Sequence, residues 1–165
     1  MKRREKGFTL VEVIIAIAIS GMIMAALAMT TVTLLANHRR STDQNIVLPQ
    51  VQNAGCWISH DVQMAKDVIF DNPSGFPLTL DIPIDTDKNN DESVVYLFDG
   101  NKLKRQVYDL SDTLISETLI ARYINVEDST FGIQDSNIYK LTIKASKDKT
   151  VVEKSYEIVQ RLGAR

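Results

Sequence analysis

Cysteine is nearly absent from this chain: Cys56 is the only one among 165 residues. A single thiol excludes an intrachain disulfide, so the fold must rest on a hydrophobic core. Tryptophan is as scarce, with Trp57 alone. Seven glycines and four prolines make no low-complexity tract, and no internal repeat is present. The most telling absence is charge. From Val13 to Ala36 there is no Asp, Glu, Lys or Arg. At about 1.5 Å per residue, that run is long enough to cross a bilayer core as a helix. Beyond Ala36, 19 acidic and 15 basic residues give a net charge of about −4 with no basic block, a poor footprint for nucleic acid.

What flanks the apolar run is equally specific. It is preceded by a short basic leader, Met1-Lys-Arg-Arg-Glu-Lys-Gly7, and by Phe8-Thr-Leu-Val-Glu12. Lys2, Arg3, Arg4 and Lys6 place the N-terminus in the cytoplasm by the positive-inside rule, against a weaker pair, Arg39 and Arg40, after the run. Everything after about Asn37 then lies outside the cytoplasmic membrane. Glu12 sits just inside the apolar segment. A carboxylate costs about 2.5–3.5 kcal/mol at the centre of a membrane helix and less near its end, so its presence points to function. An ordinary secretory signal would instead place an Ala-x-Ala-like site after its apolar core, and would give Glu12 no role. Ala25, Ala26 and Ala28 could supply such a site, but the run continues well past them.

Gly7, Phe8, Thr9, Leu10, Val11 and Glu12, in this basic and apolar context, resemble the start of type IV pilins and type II secretion pseudopilins. The resemblance implies a leader of residues 1–7 removed between Gly7 and Phe8 by a prepilin peptidase, which also methylates the new amine of Phe8. It implies a membrane half of the first helix over residues 8–36 and an extracytoplasmic pilin-like domain over 37–165. It implies other pilins or pseudopilins and an inner-membrane assembly platform as partners, a structural role, and no enzymatic activity. Glu12 would pair with the Phe8 amine of a neighbouring subunit. Such a pair offsets the burial cost of both charges and sets axial register, as one buried polar contact does in coiled coils.

The fold expected is α+β. Val47, Val51, Ala54, Ile58, Val62, Ala65 and Ile69 form one stripe of an amphipathic helix. With the apolar run it makes a long N-terminal helix from Phe8 to about Val68. Pro49 should kink or divide it near Val47–Leu48, and Asn72-Pro73-Ser74-Gly75 should end it. Period-two alternation follows in Leu78–Ile82, in Val94–Phe98 and Leu103–Val107 around Asp99-Gly100-Asn101, and in Tyr139–Lys144 and Val151–Val159 around Ser146–Lys149. Helix first and then a meander of strands gives an antiparallel sheet packed on one helix face.

Within that family, the stretches Trp57–Ala65, Val95–Arg105 and Val159–Arg161 resemble J-type minor pseudopilins and W-type minor pilins. Many major pilins carry a C-terminal disulfide loop and a proline in the membrane helix. This chain has neither feature, with Met29 in the proline region and Gly21 as the one weak point. A minor subunit that initiates or caps a pilus or secretion pseudopilus fits best. A DNA-uptake or adhesive minor pilin is the alternative.

Two further constellations carry chemistry. Asp85, Asp87, Asn89 and Asp91 alternate like the opening of a calcium loop, but Asn90 stands where such a loop needs Gly and Tyr96 where it needs Glu. A solvated acidic turn is the simpler reading, and no other cofactor is implied. Cys56 and His60 share a helix face at i, i+4, beside Asp61. With no third ligand at a suitable spacing, Cys56 reads as a buried helical thiol. Trp57 and Met64 lie on the face away from the stripe, where they either meet a partner or widen the core.

Overall fold

A computed structural model of the chain describes Gly7, residues 9–83 and residues 91–161. The chain forms two compact units, Met1–Ser41 and Thr42–Arg165. One helix, α1 (Leu10–Met64), begins in the first and ends in the second.

In the first unit every residue of α1 is exposed, including Ile14, Ile17, Leu27 and Leu34. A helix satisfies all its backbone polar groups internally, the condition for entering hydrocarbon. The threonines follow the same rule. Thr30, Thr31 and Thr33 donate their hydroxyls to the carbonyls of Ala26, Leu27 and Met29, each at 2.9 Å. By length and composition the segment can cross a membrane.

In the second unit α1 buries Val47, Val51, Ala54, Gly55, Ile58, Asp61 and Val62. The stripe expected from spacing is present from Val47 to Val62. Two expectations need correction. Pro49 neither divides nor ends the helix, which runs through it. Pro49 and Asn45 are both exposed, so water can take the Asn45 carbonyl left without its i+4 donor. The helix also ends at Met64 rather than near Val68. The backbone beyond is claimed by strand β1 (Asp67–Ile69), which pairs antiparallel with β2, and Ile69 turns to solvent instead of closing the stripe.

The remaining strands are β2 (Leu78–Pro83), β3 (Asp91–Asp99), β4 (Lys102–Tyr108), β5 (Leu114–Ala121), β6 (Thr130–Asp135), β7 (Ile138–Lys147) and β8 (Thr150–Val159). All pairings are antiparallel between chain neighbours. The β3–β4 hairpin pairs Asp99 with Lys102 across Gly100-Asn101, with Gly100 at φ 58°. That left-handed conformation is the one glycine adopts without steric cost. The β7–β8 hairpin pairs Lys147 with Thr150. Both hairpins lie where alternation and turn residues put them.

The strands form two sheets, β1-β2-β3-β4-β5 and β6-β7-β8, rather than the single meander expected. The break falls at residues 122–129. There Tyr123 takes φ 64°, Ile124 donates its amide to the Asn101 carbonyl, and Ile124 bridges Ala145. The chain thus leaves one sheet and enters the other through a short irregular crossing. The overall arrangement is α+β and pilin-like, a long N-terminal helix packed on antiparallel sheets.

One core serves both sheets. Leu78, Leu80, Val94, Tyr96 and Leu103 reach it from the first, Leu141, Ile143 and Ile158 from the second, against Val47 to Val62 of α1. Tyr156 lies against Gly55, where an added Cβ would collide with its ring, and its hydroxyl donates to the Val51 carbonyl at 3.3 Å.

Candidate functional site

The N-terminal segment starts the helix with a local device. Thr9 Oγ1 accepts the Glu12 amide at 3.3 Å, and a Glu12 carboxylate oxygen accepts the Thr9 amide at 3.4 Å. This is a capping box, S/T-x-x-E, in which two orphan amides are satisfied reciprocally. The signature Thr9-Leu-Val-Glu12 stands in the sequence, where Glu12 is read for its charge and the stretch for its family resemblance but not as a cap. Glu12 is exposed, and among the described residues its side-chain bonds are to Thr9 of its own first turn. It also borders a shallow groove lined by Val13, Ala16, Ile17, Ser20, Gly21 and Met24. Small residues along such a groove let another helix approach closely.

Gly7 is exposed, and a Cβ built on it meets nothing within 4 Å. The fold therefore places no demand for glycine there. Phe8 lies outside the described residues, as do Asp85, Asp87 and Asn89 of the acidic stretch. Asp91 opens β3, its backbone opposite Pro83. Among the described residues no group of three or more His, Cys, Asp or Glu side chains could hold a metal ion.

The distal helix carries a second polar site, and its residues come from two stretches singled out in the sequence for different reasons. Asp61 is 3% exposed. One of its oxygens accepts both the Tyr96 hydroxyl and the Arg105 Nε–H, each at 2.7 Å. The other lies 3.3 Å from Nδ1 of the exposed His60. Tyr96 is fully buried, and burial first and the Asp61 charge second hold its hydroxyl far above its ordinary pKa, so it is a permanent donor. The Arg105 guanidinium also lies over the Trp57 ring, 5.5 Å from its centroid. Tyr96 and Arg105 face α1 from adjacent strands, opposite each other in the β3–β4 register. The arrangement is a charged clamp between helix and sheet, with its donors and acceptor matched.

Three sequence readings meet this site. Cys56 is exposed, correcting the expectation of a buried thiol: the buried line on this part of α1 runs through Ala54, Gly55 and Ile58 and passes it by. Trp57 is 45% exposed and Met64 46%, so neither belongs to the core. Asp61 as a buried anchor is not legible locally, because its partners lie 35 and 44 residues away.

Residues 2–28 match the prokaryotic N-terminal methylation motif. The match supports the type IV pilin and pseudopilin family, whose members are structural rather than catalytic. No curated protein and no solved structure matches the chain. The methylation motif implies processing by a prepilin peptidase and assembly with other pilins. Together with the apolar helix it is consistent with a membrane-anchored pilin.

Proposed function

We propose that the chain is a minor pilin or pseudopilin that initiates or caps a type IV pilus or type II secretion pseudopilus, in the subgroup of J- and W-type subunits. The leader, residues 1–7, is cut between Gly7 and Phe8, and Phe8 becomes the methylated N-terminus. The helix then holds the subunit in the cytoplasmic membrane with its sheets on the far side, until assembly draws it into a filament through contacts along the helix. Trp57 and Met64, exposed beside the Asp61 clamp, meet companion minor subunits.

The observation that carries this reading is Glu12 in the methylation motif. Among the described residues its carboxylate bonds Thr9 of its own first turn, at 3.4 and 3.5 Å, and is open to solvent. A methylated amine from the next subunit offers it a charged partner in an apolar bundle, where a pair is far cheaper to bury than either ion alone.

Two substitutions separate this role from simple helix capping. Glutamine serves in a capping box as glutamate does, but carries no charge. Glu12→Gln is therefore expected to impair filament incorporation as severely as Glu12→Ala, while leaving insertion and cleavage intact. Wild-type incorporation of Glu12→Gln would reduce Glu12 to a cap and remove the pairing. Processing is tested at Gly7, where the open surroundings let Gly7→Leu fold normally. That variant should keep its leader. Intact-mass measurement of the wild-type protein should find an N-methylated Phe8 terminus, and a terminus at Met1 would refute the proposal.

A further inference from the structure

Four edge strands bound the two sheets: β1 and β5 on the larger, β6 and β8 on the smaller. Natural sheets protect such edges, because a row of unpaired amides and carbonyls accepts any passing strand. Three of the four are protected. β1 is three residues long. β6 contains Gly132 and an irregular register between Ile133 and Asp135. β8 carries Glu153, Lys154 and Glu157 along its length.

β5 is less defended, with one charge, Glu117, and irregular register only toward its ends. It is eight residues long, with no proline, lysine or arginine, and Leu114 to Leu119 are all exposed. Its irregularities against β4 fall at its two ends, leaving Ser116–Leu119 in regular register. Among the described residues no strand pairs with its outer side.

The surface of this edge also has a chemical pattern. Glu117 and Leu119 lie on one face, opposite Gln106 and Lys104 of β4, while the register shift beyond Ser116 leaves Ile115 without a β4 partner. Ile115 is 56% exposed and Leu119 39%. Glu117 accepts from Gln106 Nε2 at 2.6 Å and pairs with Lys104 at 2.9 Å. Lys104 is shared, because Asp99 holds the same ammonium at 3.0 Å, and Lys102 lies at the Asp99 end of the cluster. Two carboxylates thus divide one ammonium, and Glu117 stands at the open edge.

We propose that β5 accepts an added strand from a companion protein: an extended segment with lysine or arginine facing Glu117 and an apolar side chain two residues away, against Leu119. Main-chain hydrogen bonds supply the attachment. The alternating side chains supply the selection, through cross-strand apolar contact and one opposite-charge pair.

The test uses the full chain reconstituted at one copy per lipid nanodisc, and a fluorescent peptide, Thr-Val-Thr-Lys-Thr-Val-Thr. Saturable binding is expected by anisotropy. Replacing the peptide lysine by glutamate should weaken it at least tenfold, as should methylating alternate backbone amides in one of the two phases. In the Glu117→Lys chain the preference should reverse, the glutamate peptide binding more tightly than the lysine peptide. Because the peptide-side changes need no altered protein, misfolding of the variant cannot mask the result. No binding at millimolar peptide, or equal binding of both methylated forms, would overturn strand addition. A dimer of the full chain in detergent that Thr118→Pro dissolves would overturn it too, by assigning the edge to a second copy. None of these readouts depends on leader removal or filament assembly.

Discussion

Replacing Asp61 by alanine is the sharpest perturbation of the helix–sheet clamp. It removes the acceptor of the buried Tyr96 hydroxyl and the counter-charge of Arg105, whose side chain is 18% exposed. Breaking a buried pair from one side costs about 3–5 kcal/mol, because the orphaned ion keeps its desolvation penalty. Against a total stability of roughly 5–15 kcal/mol, that is a large share. For a unit of this size 1 kcal/mol shifts Tm by roughly 3–5 °C, so Asp61→Ala should melt roughly 10–20 °C lower. Asp61→Asn keeps one oxygen and loses the charge, so it should fall between wild type and alanine. The decisive variant is Asp61→Leu with Arg105→Met in a Tyr96→Phe background, which removes both ions together, leaves no buried hydroxyl without an acceptor, and should recover most of the loss. The assay is thermal unfolding of the full chain in detergent, followed by the fluorescence of Trp57, the sole tryptophan and a direct neighbour of Arg105. A loss below about 1 kcal/mol for Asp61→Ala would refute the clamp, since a surface pair is worth no more than that. So would a combined variant no more stable than the single one.

Gly55→Ala should destabilise the domain by about 1–3 kcal/mol, since the new methyl displaces the Tyr156 ring and disturbs its bond to Val51; Tyr156→Leu in the same chain should relieve much of the loss in a melting experiment. Trp57→Ala should cost about 0.5–1 kcal/mol from its contact with Arg105, far less than a core aromatic, while weakening association with companion minor subunits in a pull-down of purified chains. The acid limb of stability should depend on Lys104. Its hydrogen bond and charge hold Asp99 below the usual carboxylate range, and Gln106 first and Lys104 second do the same for Glu117. Groups with depressed pKa add stability above their unfolded values, near pH 4, and lose it as pH falls through the folded ones. Lys104→Met should therefore flatten the decline of melting temperature below about pH 4.5, and an unchanged decline would remove Lys104 from that role.

Where a single periodicity decides an element, it was legible. Leu78–Ile82, the β3–β4 pair and the β7–β8 pair alternate cleanly and fold as read. β5 was missed because Leu114-Ile-Ser-Glu-Thr-Leu-Ile-Ala121 puts apolar residues on both faces, as an unpaired edge tolerates. β6 was missed because glycine interrupts it. The helix end was misjudged because Ala65 continues the stripe while the backbone past it already belongs to a sheet. At the N-terminus the motif was readable residue by residue, since a leader, a cap and an uncharged span are all local. The Asp61 clamp was not, because one helix residue and two strand residues meet only when the β3–β4 register brings Tyr96 opposite Arg105.

Gln160 is among the last described residues, and its side-chain amide donates to the carbonyls of Ala65 and Lys66 at 3.0 and 2.9 Å. Together with Tyr156 on Val51, it ties the final strand to the first helix across 95 and 105 positions of chain. Contacts so distant in sequence form late, because the intervening loop must close before they are made. In a chain made from its N-terminus, the amphipathic half of α1 therefore keeps part of its Val47–Val62 stripe uncovered until β8 has emerged. β8 acts as a latch on α1, so a change at Tyr156 or Gln160 is felt more than ninety residues upstream.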